Sequence, residues 1–442
     1  MTMRKLVFVA LLLTLGSATA PNQNPAPVGQ TEITKWQFGK NAAISLTYDD
    51  GSTNQFAKAL PIMNRLQLPA TFFIITGQIP GSQYQGRFVG RPVKDIIRET
   101  ATIPTNQANF FERASAVGFL GYEGTIGFHT QAGALIDAGK PAEAYKVIDE
   151  AYKKVREGAF KPGYKPNQEV EEAKGVTWHK IRSYAAQGHE FGSHTVTHAR
   201  LAALDEANLL YELEKSRADI LKQLGPAHTF SAEGPYGTEN ERVVEYAQKI
   251  YPALRNRMPA PYLAELNRGS KTQPGTLQKE YVQWQRGATT KTPLTLMKSW
   301  VDTVAAHQNT WLVLVIHGVD GIGWEALPST LLDEYFTYLK KHEDKLWVAT
   351  FGEVTKYMRE RMQAKVQTSP AKNKITVNLT HNLDKNWYNI PLTLKTYVPA
   401  HWKNINLKQG NQQLQLRPAK DSQGFYVLYQ ARPNAQPIEL LN

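Results

Sequence analysis

Two periodicities divide this chain. From residue 41 to about residue 363, short apolar runs alternate with stretches whose apolar residues recur every three or four positions. The runs at 41–48, 69–77, 311–317 and 346–350 read as buried strands, because neither of their faces is consistently polar. A shorter run at 228–233 reads as a strand as well. The segments 55–66, 141–158, 177–187, 203–224, 243–250, 292–307, 328–341 and 351–362 carry helical spacing. Thr177 is placed to cap its helix and Gly188 to stop it. Strands and helices in alternation imply a parallel sheet, closed or nearly closed into a β/α barrel.

The period then changes. After about residue 364 apolar residues alternate singly: Ile375, Val377, Leu379; Leu392, Leu394; Ile405, Leu407; Leu414, Leu416; Phe425, Val427. Turn residues such as Gly410-Asn411 and Gly424 separate these sets. Residues 364–442 are therefore expected to form a small all-β, sandwich-like domain. Its Trp387, Tyr388, Trp402 and Tyr426 either bind glycan or fill the core and the barrel interface. Residues 21–40, rich in Pro and Asn, are read as a leader. Between the second strand and about residue 174 lies an insertion (about 78–174) that either shapes a groove over the barrel or serves as a structural flap. His129, within it, has no motif around it and reads as a local hydrogen-bonding group.

One apolar stretch fits neither pattern. Leu6–Leu15 follows Arg4 and Lys5 and precedes Ala18-Thr19-Ala20. A basic start, a short apolar run and an Ala-x-Ala end read as a signal peptide over 1–20, too short to span a bilayer. Its removal takes two basic and no acidic residues, and the net charge goes from +12 to +10. The chain has no cysteine, which excludes disulfides, thiolate zinc sites and a cysteine nucleophile. The expectation is an exported bacterial protein, secreted or periplasmic, without stable membrane insertion once the signal is gone. The basic excess is spread along the chain. It suits an anionic surface or polymer, or merely a basic exported protein. No nucleic-acid motif is present.

The candidate chemistry sits at strand ends. Asp49 and Asp50 end the first run, and His194 and His198, four apart, follow Gly188-His189-Glu190-Phe191-Gly192-Ser193. On one helical turn positions i and i+4 share a face, so two imidazoles can converge on a cation, with a carboxylate as third ligand. Thr47-Tyr48-Asp49-Asp50-Gly51 followed by His194-Thr195-Val196-Thr197-His198 resembles the polysaccharide deacetylases, the NodB-homology or carbohydrate esterase family 4 group. Ala70-Thr71-Phe72-Phe73, Pro235-Tyr236-Gly237 and Leu314-Val315-Ile316-His317 are similar to further family motifs. The resemblance covers about 41–80 and 175–360, and implies a distorted, NodB-like β/α barrel over 41–363.

It implies roles as well. Asp49 corresponds to the catalytic base and His317 to the general acid. Tyr236 corresponds to an oxyanion donor through its backbone N–H. Asp50, His194 and His198 correspond to ligands of a divalent metal, Zn²⁺ foremost, with Co²⁺ or Mn²⁺ admissible. Pro235 and Trp324 are assigned to substrate binding, Trp324 equally to core packing. Two positions depart from the family. Glu233 stands where many members have an arginine paired with the aspartate base. Arg286 is one substitute, and Glu233 pointing away is another reading. The Asp/Trp pair that tunes the acid is not clear among Trp284, Trp300 and Asp302. The implied function is an exported metal-dependent hydrolase using a metal-bound water, an Asp base and a His acid to remove N- or O-linked acetyl groups from carbohydrate. The alternatives are a glycan-binding protein on an impaired deacetylase scaffold, and an amide hydrolase of a small molecule.

Overall fold

The computed structural model describes residues 25–163, 168–258 and 264–442; the signal-peptide segment lies outside the described residues. Strands are numbered in chain order. A short β1 (Thr31–Ile33) precedes the barrel strands β2 (Ala42–Tyr48), β3 (Ala70–Ile74), β4 (Glu190–Ser193), β5 (Ser231–Ala232), β6 (Ala253–Leu254), β7 (Ala264–Leu266), β8 (Val282–Gly287), β9 (Thr310–Ile316) and β10 (Leu346–Val348). They form one nine-stranded sheet in the order β6-β5-β4-β3-β2-β9-β8-β7, with β10 beside the first half of β2. Every pairing in it is parallel. The two ends of the order, β6 and β7, form no ladder among the described residues. The architecture is thus a distorted, incompletely closed β/α barrel.

Central strands are buried along their whole length, β2 and β9 at all seven positions. Helices cover them from outside, which is why their sequences read as unbroken apolar runs. The helix Glu206–Leu224 starts on Asp205, whose side chain accepts the Asn208 N–H, and ends at Gly225 with φ of 86°. The helix Phe351–Gln363 opens with a capping box of Thr350 and Glu353. Thr177 caps Trp178–Ala185 as expected. The insertion packs its own core, in which Ile148, Ala151, Tyr152 and Val155 of the helix Pro141–Arg156 meet Phe110, Ala114 and Val117.

The C-terminal part consists of β11 (Lys365–Ala371), β12 (Lys374–Thr380), β13 (Leu392–Val398), β14 (Ile405–Gln409), β15 (Gln412–Leu416), β16 (Ala419–Asp421), β17 (Gly424–Ala431) and β18 (Ile438–Leu441). They build two antiparallel sheets, β11-β12-β18-β14-β15 and β1-β13-β17-β16. The stretch read as a leader therefore supplies an edge strand, with Glu32 opposite Lys395. Trp402 is fully buried, and Trp387 and Tyr388 pack on Phe230 of the barrel at 5.6 and 5.8 Å. These three aromatics are packing residues. Tyr426 is half-buried beside Tyr397.

Candidate active site

Parallel strands deliver their following residues to one rim. Asp49 and Asp50 follow β2, His194 follows β4, Glu233 follows β5, Arg255 follows β6 and His317 follows β9. Backbone bonds extend the ladder past the strand ends and fix these residues in register. Asp49 N–H donates to Ile316 O, His194 N–H to Ile74 O, Glu233 N–H to Ser193 O and Arg255 N–H to Ala232 O.

The two histidines are not on a helix, contrary to the i, i+4 expectation. The segment after β4 is a loop, with Thr195 and His198 at φ of 69° and 64°. The N–H groups of Val196 and Thr197 and the Thr197 hydroxyl all donate to the Glu212 carboxylate, and the His198 N–H donates to Thr195 Oγ1. A helix would satisfy these donors internally; here a buried glutamate does so, and the rings still meet at 4.8 Å. Asp50 (φ 72°) and Tyr236 (φ 62°) are also left-handed, so four of the nine non-glycine residues with positive φ among the described residues lie in or next to the segments lining one cleft. Strain concentrated in this way marks a site whose geometry is imposed by its surroundings.

Asp50 Oδ1 lies 3.4 Å from His194 Nε2 and 3.2 Å from His198 Nε2, all three residues buried. Each imidazole turns its other nitrogen to a glutamate. His194 Nδ1 is 3.0 Å from the Glu233 carbonyl oxygen and 2.8 Å from its Oε2. His198 Nδ1 is 3.2 Å from Glu169 Oε1, though off the hydrogen-bond line. Burial alone would lower both imidazole pKa values, but Glu233 and Asp50 around His194, and Asp50 and Glu169 around His198, outweigh it and raise them. Burial likewise works to raise Asp50, and the two imidazoles overcome it and hold its carboxyl well below the usual range.

Asp49 is clamped by a residue that the sequence reading did not name. Arg255, with no exposure, donates from Nη1 to Asp49 Oδ1 at 2.6 Å and from Nη2 to Asp49 Oδ2 at 2.7 Å. The same Nη2 lies 2.9 Å from Glu233 Oε1. Arg286 does not take this part. Its guanidinium stacks on Trp284 at 4.4 Å and donates to the backbone carbonyls of Arg268, Ser270 and Gln285. Glu233 does not point away either; burial works to raise its pKa, and Arg255 and His194 hold it below the usual carboxylate range.

His317 Nε2 approaches Asp49 Oδ2 to 3.3 Å. Burial lowers the His317 pKa, with Asp49 working against it. Trp324 meets the His317 ring edge-on at 4.7 Å and is 56% exposed, so it is not a core residue. Asp49, Asp50, His194, His198, Tyr236, His317 and Trp324 line a common cleft of about 400 Å³. Pro235 does not; it is buried in the turn that sets Tyr236. The Tyr236 ring lies between His198 at 4.6 Å and the Arg200 guanidinium at 4.0 Å. Glu169 and Glu172, from the insertion, complete the rim. His129 accepts the Arg200 N–H and lies 2.9 Å from the Ala114 carbonyl oxygen, tying the insertion to the loop after His198. Asp302 accepts a hydrogen bond from the Tyr338 hydroxyl, and Trp300 is buried against a neighbouring groove.

The carboxyl rim of the parallel sheet thus carries a buried carboxylate–imidazole cluster. The polysaccharide deacetylase family model matches residues 39–103 and 142–251, and over these segments the chain is similar to that family. They contain Asp49, Asp50, His194, His198 and Tyr236, but neither Arg255 nor His317. A gellan lyase from a Bacillus species is 28% identical over 280 residues, which are 59% of this chain and 11% of that protein. The chain thus spans about a tenth of that relative's length. Among solved structures, Bacillus subtilis PdaA, a family 4 carbohydrate esterase, is 13% identical at a TM-score of 0.32, covering 75% of this chain and 85% of that one. A family 4 carbohydrate esterase from Bacillus anthracis is 13% identical at a TM-score of 0.32, covering 74% and 86%.

Proposed function

We propose that this protein is an exported, divalent-metal-dependent hydrolase that removes N- or O-linked acetyl groups from a carbohydrate polymer or oligosaccharide. The observation that carries the reading is the buried set Asp50, His194 and His198 beside an Asp49 clamped by Arg255. Two nitrogens and one carboxylate oxygen, backed by glutamates at the far imidazole nitrogens, fit Zn²⁺ and admit Co²⁺ or Mn²⁺. When bound there, such a cation supplies Lewis acidity toward a carbonyl oxygen and acidifies water.

Asp49 takes the proton of the attacking water. Arg255 engages both of its carboxylate oxygens and so fixes the orientation in which it can accept. His317, across from Asp49, protonates the departing amine or alkoxide, and Trp324 bounds the space beside it. Tyr236 offers its backbone N–H to the oxyanion, the role its turn has by resemblance. Glu233, standing where many family members have an arginine, is the sequence feature that favours a binding protein without catalysis. Its pairing with Arg255 restores the cation that its presence had put in doubt, which favours the catalytic reading. The cleft opens into a larger groove, and this supports an extended substrate over a small molecule.

The test is acetate release from chitooligosaccharides, peptidoglycan and acetylated xylan. Asp49→Ala is expected to lower the rate by about 10²–10⁴-fold, the usual worth of a positioned base. Chelation should abolish activity and added Zn²⁺ or Co²⁺ should restore it. Acetate release that survives both treatments would overturn this mechanism, and silence of the wild type across the panel with metal bound would overturn the function.

A further inference from the structure

The cleft holding Asp50 continues into a second depression of about 700 Å³, with Arg268, His317 and Trp324 common to both. Among the described residues no acidic side chain lines it, and its arginines are Arg268 and Arg286. Neither guanidinium has a carboxylate within 4 Å among the described residues, although Arg268 is near enough to Glu233 to act on it electrostatically. Arg286 spends its donors on backbone carbonyls and one face on Trp284. Burial is the one influence on its pKa, which it lowers. Arg268 is exposed and lies across Gly287, where an added Cβ would meet its Cδ at 3.1 Å. Its Nη2 reaches towards Gly237, in the turn that holds Tyr236. A glycine at 287 thus leaves room for an arginine held between the oxyanion turn and the groove.

The charge is divided across the site. Asp49, Asp50, Glu169, Glu172 and Glu233 outnumber Arg200 on the metal side, Arg268 stands at the junction, and Arg286 lies in the groove with no acid beside it among the described residues. A substrate bearing an anion is repelled from the first side and drawn to the second. Arginine matches a carboxylate with two parallel N–H donors, which gives direction as well as attraction. Trp324, more than half exposed at the junction, offers an aromatic face for a pyranose ring.

We propose that this groove is a subsite for a carboxylate-bearing sugar, a uronic acid residue adjoining the acetylated residue of the substrate chain. The proposal rests on the carbohydrate reading of the neighbouring cleft, and its test includes binding alone so that the two can fail separately.

Binding of a galacturonate hexamer to the full protein is measured by calorimetry at physiological salt, against the same hexamer with its carboxylates reduced to alcohols. The charged form is expected to bind about tenfold tighter or more, the scale of one charge-assisted hydrogen bond. Arg268→Gln, at an exposed position with an unchanged melting temperature, should erase most of that difference. Lys215→Gln with Lys249→Gln, remote from the groove, should not. Equal affinity for the two hexamers would overturn the subsite. So would an equal loss in the remote variant, which would mean bulk attraction to a basic protein. Equal affinity for a sulfated neutral-sugar hexamer would overturn the carboxylate assignment. If no polymer releases acetate but the binding pattern holds, the deacetylase reading falls and the subsite stands. If acetate is released and Arg268→Gln leaves the preference unaltered, the reverse follows.

Discussion

Arg255 is the residue on which the charge balance of the site turns. A fully buried guanidinium is costly to desolvate, and the cost is offset only because Asp49 and Glu233 both engage it. Arg255→Met strands two buried carboxylates, and a stability loss of about 3–5 kcal/mol is expected, read from urea unfolding. Arg255→Lys keeps the charge but not the fork, so it should recover part of the stability while acetate release stays at least about tenfold down. Recovery of full activity by lysine would show that charge alone positions Asp49. Asp49, Asp50, His194 and His317 could be picked out as candidates because each ends or follows a recognisable apolar run. Arg255 could not, because it follows a strand of two residues, Ala253–Leu254, too short to show any period. Its signal was indirect: an acid at 233 close to Asp49 requires a cation. Arg286 was the wrong one because it lies at the end of β8 and faces the groove instead.

At the scale of elements, the apolar periodicities located most helices and the long strands, and failed where tertiary contacts replace local pattern. β8 carries Gln283 and Gln285 among buried residues, so it does not read as a core strand. Both amides donate to the Arg255 carbonyl oxygen inside the barrel, where no sequence period reveals it. The loop carrying His194 and His198 misled for a related reason. Spacing of four suits a helix, but Glu212, from a separate helix, holds the backbone donors in a loop. The insertion reaches the site through a third element, the short helix Gln168–Glu172, whose Glu169 faces His198 Nδ1. Carboxylates in that position orient imidazole ligands, and losing one typically lowers metal affinity 10–100-fold, about the effect expected for Glu169→Gln in chelator competition with Zn²⁺. Glu172→Gln, on the same helix but off the ligands, should change it far less. Equal effects would mean that the helix contributes charge to the cleft and does not orient His198.

The barrel and the C-terminal sheets share one apolar cluster, in which Phe351, Val354 and Met358 of the last barrel helix meet Ile375, Leu394 and Leu440. Polar contacts cross that junction as well, among them Arg359 donating to the Tyr388 hydroxyl and a pair made by Glu360. Glu360 of the helix accepts the Ile390 N–H at 3.1 Å, and its Oε2 lies 3.3 Å from His381 Nε2. His381 Nδ1 accepts the Leu383 N–H, which leaves the proton of the neutral ring on Nε2, facing Glu360. Burial pushes the Glu360 carboxyl up to about 7. The native state therefore keeps this proton across a window, from about 4.5 to about 7, in which the unfolded chain has released it. The native state binds more protons there, so the Glu360 contribution to stability falls as pH rises through the window and is constant above it. His381 acts in the opposite sense: burial lowers its pKa, and stability falls as pH drops below the ordinary histidine range. Glu360→Gln separates the two, since it removes only the carboxyl. The stability of Glu360→Gln relative to wild type should rise by about 1–3 kcal/mol between about pH 5 and about pH 8, measured by urea unfolding at intervals across that range. A difference independent of pH would mean that Glu360 is ionised throughout beside His381, and that the junction is not strained by a buried acid.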